Sequence, residues 1–366
     1  MRGPFLADDR INWPERVAVG PAGGAPRPPH RPTLKGVISW VVGLLALPLS
    51  VLPFVAYTHF DRTGNLLLLR VERYFADPAA PELPAGEAAA YRATALHFRD
   101  AVAVLALPEV IDGPDHPGAL SPERFARHMR MLEAAGYHAV APEQVVSWLD
   151  GKTALPENAI LLTFDAARAD VVLNAAPVLK DVEMRATVFP VGGAYEKNPV
   201  WFSSPEQLRD LEGRFGWSIG AFAARNHGEI AVDGGAAPYL SALEPGEDLD
   251  QFRARAHDEY AGALEAANDI GTRPSIAYAW PYGAWGGDRR ANDPGIGPIN
   301  LEEARQLFRL GFTLDAQDSF RLLTRADDPM RAARLAVSAE WTPADLLERL
   351  NVAAAASAPV LDDATP

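Results

Sequence analysis

Hydrophobic and polar positions fall into distinct regimes along this chain. From Gly36 to Tyr57 the run GVISWVVGLLALPLSVLPFVAY carries no charged residue over 22 positions, about 33 Å as a helix at ~1.5 Å per residue, enough to span a bilayer. Pro48 and Pro53 would kink it, which membrane helices tolerate. From Ala101 the pattern changes to short apolar runs alternating with amphipathic stretches. AVAVLAL (101–107) reads as a buried strand. Ser121-Pro122 then opens a helix whose Phe125, Met129 and Leu132 share one face and which stops at Gly136. A short strand YHAV and a short helix PEQVVSWLDG follow, then the strand AILLTFD, a helix to about Lys180 and the strand ATVFPV. The capped helix SPEQLRDLEG, the strand WSIGAF, a long helix from about Asp248 to Asn268 and the strand and loop SIAYAWPYG continue the series. NLEEARQLFRLG, FTLDA, ARLAV and TPADLLERL complete it. Repeated strand–helix units imply parallel strands with helical crossovers, and about seven to eight of them over ~250 residues predict a barrel rather than an open sheet.

The flanks set organisation and orientation. Residues 1–35, with GPAGGAPRPPHRP, read as a disordered tail. Residues 58–100 read as a membrane-proximal segment and linker, with NLLLLRVERYF helical and ADPAAPELPAGEAAA connecting, and residues 351–366 as a second disordered tail. Arg2, Arg10, Arg16, Arg27, Arg31 and Lys35 precede the apolar run against only Asp8, Asp9 and Glu15, so the N-terminus is expected to be cytoplasmic and the main domain extracytoplasmic. A cleaved signal peptide fits less well: about 35 residues precede the run, too many for a signal n-region, and no A-x-A site follows. At 366 residues and 48% hydrophobic, the chain can bury a sizeable core. Absence of cysteine excludes disulfides, thiolate metal sites and cysteine nucleophiles, and suits an oxidising compartment. A formal net charge of -14 argues against nucleic acid as partner and suits a neutral or cationic ligand.

One stretch carries the chemistry. In AILLTFDAARAD (159–170) apolar residues run up to Thr163 and Phe164, and a carboxylate, Asp165, stands at the strand's C-terminal end. That end is where α/β folds place their active sites. Two alanines follow it.

The order of pieces over roughly residues 101–350 resembles the polysaccharide deacetylase (NodB homology) family, carbohydrate esterase family 4. It is most similar to the extracytoplasmic branch that de-N-acetylates poly-β-1,6-N-acetylglucosamine. The stretch LSPERFARHMRMLEAAGYHAVAPEQVVSWLDGKTALPENAILLTFD carries the likeness, with ATVFPVGG, GWSIG and IAYAWPYGAW. The resemblance implies a distorted (β/α)7-type NodB barrel, here preceded by one transmembrane helix. It implies metal-assisted hydrolysis of an N-acetyl group: a zinc-like divalent cation on one Asp and two His polarises the carbonyl and activates water, and a neighbouring Asp acts as base.

Against that pattern this sequence departs. The family's T-F-D-D-G reads Thr163-Phe164-Asp165-Ala166-Ala167, so the base position survives as Asp165 and the ligand position is Ala166. Where I-G-S-H is expected, Ile219-Gly220-Ala221-Phe222 stands, so Phe222 occupies the second ligand position. His227, five residues on, is the one remnant ligand the spacing leaves. The Tyr-His that the family often has near Leu107-Pro108 is gone. A catalytic zinc site takes three protein ligands and a water, so no cofactor is expected here unless the site is rebuilt for a divalent metal such as zinc. Asp165 is left either capping the following helix or keeping a functional role, and His227 is either a loop residue or a ligand. A rescue set of Asp165, His227 and Glu229 or Asp170 stays open. Within the domain and the segment before it, His97, His116, His128, His138 and His257 show no pairing in sequence.

The sugar-binding side is better kept. Trp280-Pro281-Tyr282-Gly283 matches the family's substrate-groove motif, with Trp285 just after and Trp201 and Trp217 earlier. Aromatic faces bind the apolar faces of sugar rings, Tyr282 and Trp285 being the loop candidates, whereas Trp217 and Trp280, as strand residues, read more readily as core even though Trp280 opens the groove motif. The leading expectation is a membrane-anchored pseudoenzyme that binds or guides a cell-envelope N-acetylhexosamine polysaccharide (an exopolysaccharide), with a membrane glycosyltransferase or synthase as candidate neighbour. An active polysaccharide N-deacetylase with a rebuilt site, and a membrane scaffold protein, are the alternatives.

Overall fold

The computed structural model describes residues 81–112, 116, 118–224, 228–232, 235–287, 291–315 and 320–357. The apolar segment 36–57, the tail 1–35 and His227 lie outside the described residues. Among the described residues no helix is long and apolar enough to cross a membrane.

The apolar runs become one parallel sheet because each is buried on both faces, the condition under which strands lose alternation. Its principal strands are β1 (Ala101–Leu107), β3 (Ala159–Ala166), β4 (Thr187–Pro190), β5 (Ser218–Ile219), β8 (Ala277–Ala279), β9 (Leu310–Asp315) and β11 (Ala332–Ala336). They run β5-β4-β3-β1-β11-β9-β8, every pairing parallel. The two ends meet where Ala221, just past β5, bridges Tyr278 of β8. The Ala221 N–H donates to the Ala277 carbonyl at 2.8 Å and the Ala279 N–H to the Ala221 carbonyl at 3.0 Å. Around this ring the strands follow chain order, so the architecture is a seven-stranded parallel α/β barrel whose closure is a single-residue bridge, the distortion expected of a NodB-type barrel. Short β2 (His138–Ala139) extends β3, β10 (Leu323–Thr324) pairs antiparallel with β1, and β6 (Glu229–Val232) and β7 (Gly235–Pro238) form a separate hairpin.

The helices begin and end where local chemistry directs. They are α1 (Ala85–Thr94), α2 (Pro122–Ala134), α3 (Pro142–Leu149), α4 (Ala176–Asp181, preceded by a π turn over Val171–Ala175), α5 (Ala194–Lys197), α6 (Pro205–Phe215), α7 (Leu249–Ile270), α8 (Ile296–Leu307) and α9 (Pro343–Ser357). Ser121, Ser204 and Asp248 accept from backbone N–H groups at the starts of α2, α6 and α7, with Pro at the first turn of α2 and α6. Gly216 stops α6 in the left-handed conformation, φ 67°.

Two boundaries differ from those expected. Residues 85–94, read as linker, form α1, which is tied to α2 by the Arg127–Glu87 ion pair at 2.9 Å. Helix α9 runs on to Ser357 rather than ending at residue 350, because NVAAAAS is rich in the best helix former and Ala353 and Ala354 are buried. Asn351 then caps the end of α1: its Oδ1 accepts from the Leu96 N–H and its Nδ2 donates to the Thr94 carbonyl, both at 2.9 Å.

Candidate functional site

Strand β3 delivers Asp165 to the C-terminal end of the barrel, and there both its oxygens are taken. Arg334 of β11 donates from Nη1 to Asp165 Oδ1 at 2.6 Å and from Nη2 to Oδ2 at 3.0 Å. Strand β1 lies between β3 and β11, so the guanidinium reaches past it through the barrel interior. Its remaining contacts are the Thr163 hydroxyl at 3.2 Å, the Thr313 carbonyl at 3.3 Å and the Phe189 ring at 6.0 Å. Arg334 has no exposure, whereas the Asp165 side chain keeps 31%. A fully buried cation is tolerable only when paired and hydrogen-bonded. Asp165 is that counter-charge. It does not cap the following helix, as one sequence reading had it. Sequence reasoning missed Arg334, although an arginine inside the apolar strand AARLA was the available signal.

Immediately after Asp165 the backbone turns through Ala166 (φ 64°) and Ala167 (φ 47°), both left-handed. That conformation costs an L-residue with a Cβ about 1–2 kcal/mol. It is held from the neighbouring loop, where the Ser203 N–H donates to the Ala167 carbonyl at 2.9 Å.

The described donor positions do not fit a metal. Ala166 offers a methyl group, half-buried against the cluster that includes Phe189, Phe222 and Phe312. Phe222 is 1% exposed, so a ring fills the second ligand position. Asp165 is committed to Arg334. Asp170 does not join it: the carboxylate is fully buried, accepts from the Val110 N–H at 2.7 Å and from Arg168 Nε at 3.2 Å, and so faces the β1 loop. Glu229 lies on β6, exposed. Among the described residues no three His, Asp or Glu side chains converge, and His227, the histidine of the rescue set, lies outside them.

Sequence reasoning also missed a polar cluster beside this turn. Arg168 bridges Asp170 and Glu109, the latter at 3.2 Å, and lies 4.7 Å from the centre of the Trp201 ring. Glu109 in turn meets His116 Nδ1 at 2.9 Å, while His116 Nε2 is buried with no hydrogen-bond partner among the described residues. Burial pushes the Asp170 carboxyl above its ordinary range, against the lowering by Arg168 and the Val110 N–H. Its signal was weak: Glu109 and Arg168 lie 59 positions apart and meet only because β1 and β3 are adjacent. Likewise His257, unpaired in sequence, meets Glu303 at 3.1 Å.

The aromatic residues divide. Trp280 has no exposure, packs edge-on against Tyr260 and Tyr278, and donates its indole N–H to the Met330 carbonyl at 3.2 Å. It is a core residue and cannot meet a ligand, which corrects its assignment to the groove. Trp217 is buried too, stacked on Phe164. Pro281 is half-buried, and Gly283 is buried at φ 67°, where a Cβ would collide with the Leu314 backbone. Together they turn the chain so that Tyr282, itself left-handed at φ 58°, presents a ring 42% exposed. Trp285 is half-buried under the Arg331 guanidinium, 5.0 Å from its ring.

Residues 152–293 match the sequence pattern of the polysaccharide deacetylase family. The chain carries a polysaccharide deacetylase domain of the NodB, carbohydrate esterase family 4 type. It is 34% identical over 70 residues to YxkH of Bacillus subtilis (strain 168), a protein whose name places it with the polysaccharide deacetylases; the match spans a quarter (25%) of that relative's length. Among solved structures it resembles the de-N-acetylase of Aggregatibacter actinomycetemcomitans, with TM-score 0.58 and 20% identity over 68% of this chain and 100% of that one. It also resembles IcaB of Ammonifex degensii, with TM-score 0.53 and 23% identity over 70% and 97%, and the Streptococcus pyogenes deacetylase PplD, with TM-score 0.54 and 20% identity over 68% and 97%. At these identities the likeness establishes fold.

Proposed function

We propose that this chain is a pseudoenzyme of the polysaccharide deacetylase family, binding or guiding an N-acetylhexosamine polysaccharide of the cell envelope instead of hydrolysing it by the family's metal route. The observation that carries this reading is the Asp165–Arg334 pair beside Ala166 and Phe222: the acid is neutralised, and two expected donors are apolar and packed into the core. The family's metal route to amide hydrolysis supplies a Lewis acid and a bound water of lowered pKa, and no set of three described His, Asp or Glu side chains forms a site for that metal. The aromatic Tyr282 supports binding, since an exposed ring on a left-handed residue is held there at a cost. The uncharged segment 36–57 and the basic tail before it support an anchor with the barrel on the extracytoplasmic side, which would hold it beside a membrane synthase.

The test is metal content and acetate release from the purified full chain offered zinc, cobalt, nickel or manganese, with β-1,4- and β-1,6-linked N-acetylglucosamine oligomers. The expected outcome is no stoichiometric metal and no acetate, with saturable oligomer binding weakened about fivefold by Tyr282→Ala, an aromatic contact of ~1 kcal/mol. Acetate release that disappears in Asp165→Asn and His227→Ala would instead establish an active, rebuilt deacetylase. No oligomer binding at all would favour a scaffold.

A further inference from the structure

We infer that the junction of α2 and α9 is a pH-sensitive latch: with His128 neutral α9 stays docked on α2, and a proton on His128 loosens α9 together with the end of α1 that α9 holds. This device is independent of what the barrel binds. His128 lies on the buried side of α2 and has no exposure. Its Nδ1 meets the Arg124 carbonyl, one turn earlier, at 2.9 Å, so Nδ1 donates and Nε2 of the neutral ring is left as an acceptor. Nε2 is buried with no hydrogen-bond partner among the described residues. Beside the ring runs the backbone of Trp341 and Thr342, where the chain enters α9. A proton at Nε2 would add a buried charge and a second donor with no bonded acceptor to receive it.

The surrounding charges do not compensate that proton. From α2, Arg124 faces the ring, and its guanidinium donates to the Ala339 carbonyl just ahead of α9. From α9 comes Asp345, but its carboxylate already accepts from the Thr342 N–H and hydroxyl, both at 2.8 Å, while the Asp345 N–H donates back to the hydroxyl at 3.3 Å. This reciprocal cap places the N-terminus of α9, with its partial positive charge, at the same junction. Arg349 of α9 stacks over Trp341 at 4.1 Å, and Arg127 of α2 is paired with Glu87 of α1. Burial pushes the His128 ring below its ordinary value and the Arg124 charge adds to this, against the backbone of Arg124, Thr342 and Trp341. A histidine held neutral when docked and free to protonate when released withdraws stability as pH falls through the ordinary value of about 6.5. Asn351 of α9 carries the effect onward, because its amide holds the Leu96 N–H and the Thr94 carbonyl, both at 2.9 Å. Helix α1 lies between the chain that leads back to the apolar run 36–57 and the first barrel strand, so the latch sits at the entry to the barrel.

The experiment is hydrogen exchange on the full chain at pH 7.5 and 5.5, read by mass spectrometry and corrected for intrinsic exchange rates, with His128→Gln and His128→Leu as variants. Ordinary carboxylates stay ionised over this range. In the unmodified chain, protection of α9 and of residues 94–96 is expected to fall about three- to tenfold on acidification, while β1 and β3 keep theirs. In the variants that fall should disappear, whatever their absolute protection. An undiminished fall in either folded variant, no fall in the unmodified chain, or an equal fall across the barrel strands overturns the latch. Should neither variant fold, an NMR titration of the His128 ring in the unmodified chain decides: a midpoint below about 6.5 is expected, and a midpoint at or above it overturns the inference.

Discussion

Arg334 and Asp165 differ in what each leaves behind when removed. Arg334 is fully buried and Asp165 is 31% exposed at its side chain, so water can solvate the carboxylate but cannot reach the guanidinium. Asp165→Ala, which strands a buried cation on the Thr163 hydroxyl and the Thr313 carbonyl, is therefore expected to cost about 3–5 kcal/mol. Arg334→Met should cost less, on the order of 1–3 kcal/mol, and the double variant should be more stable than Asp165→Ala alone. Urea unfolding of the three proteins checks this; equal costs for both single variants would mean that the pair is not the buried ion pair described. Two residues on, Ala167 holds φ 47°. Ala167→Gly relieves that strain and should raise stability by about 0.5–1 kcal/mol, measured the same way. A loss would show that the methyl group contributes packing that outweighs its backbone cost.

Helix α7 illustrates how an element depends on its first turn. Asp248 accepts from the N–H groups of Asp250 and Gln251 at 3.0 and 2.9 Å, and Gln251 Oε1 accepts from the Asp248 N–H at 3.0 Å. Asp248→Ala removes half of this reciprocal cap and is expected to destabilise by about 1 kcal/mol, with lost protection of the first-turn amides in hydrogen exchange as the readout. The same helix contributes Glu259, whose Oε1 accepts from the Ala224 N–H at 2.7 Å, so α7 also anchors the chain just past Phe222. In the Trp-Pro-Tyr-Gly loop the division of labour is equally local. Trp280 belongs to the core, Gly283 is required by the close approach of Leu314, and Tyr282 alone is turned outwards.

At the scale of the whole molecule, buried and half-buried carboxylates among the described residues shape the response to pH. Burial pushes Glu212, Glu247, Glu303 and Asp328 up. Hydrogen bonds and cations outweigh it: Thr272 and Arg273 at Glu212, Arg255 at Glu247, Arg253 and His257 at Glu303, and the Met330 N–H and Arg305 at Asp328. All four are lowered in the folded state. Their contribution is present above the unfolded carboxylate values of about 4 and is lost as pH falls through the depressed folded values. Asp170 has the opposite sign. Its raised folded value means that ionisation costs stability, and protonation on acidification returns part of it. Net stability should therefore fall below about pH 4, and Asp170→Asn should steepen the acid limb by removing the opposing group. Urea midpoints across pH test both; a chain that gains stability on acidification through this range would contradict the assignments.

The alternation of apolar runs with amphipathic, capped helices was sufficient by itself to establish the parallel α/β class, because strands buried on both faces and helices with one apolar stripe carry their patterns locally. Asp165 at a strand end, the missing donors at Ala166 and Phe222 and the Trp-Pro-Tyr-Gly loop were legible for the same reason: each is a matter of residue type at one position. Closure of the ring through Ala221 and Tyr278 was not, because a one-residue bridge leaves no periodicity. Nor was the partner of Asp165, which lies 169 positions away and acquires meaning only when β11 packs two strands from β3. Sequence also left Trp280 free to be core or groove, and tertiary packing against Tyr260 and Tyr278 decided it. Local pattern is written in the period of a strand or helix. Long-range pairing of charges and the side of a ring that meets water depend on which elements become neighbours, and the folded chain alone determines that.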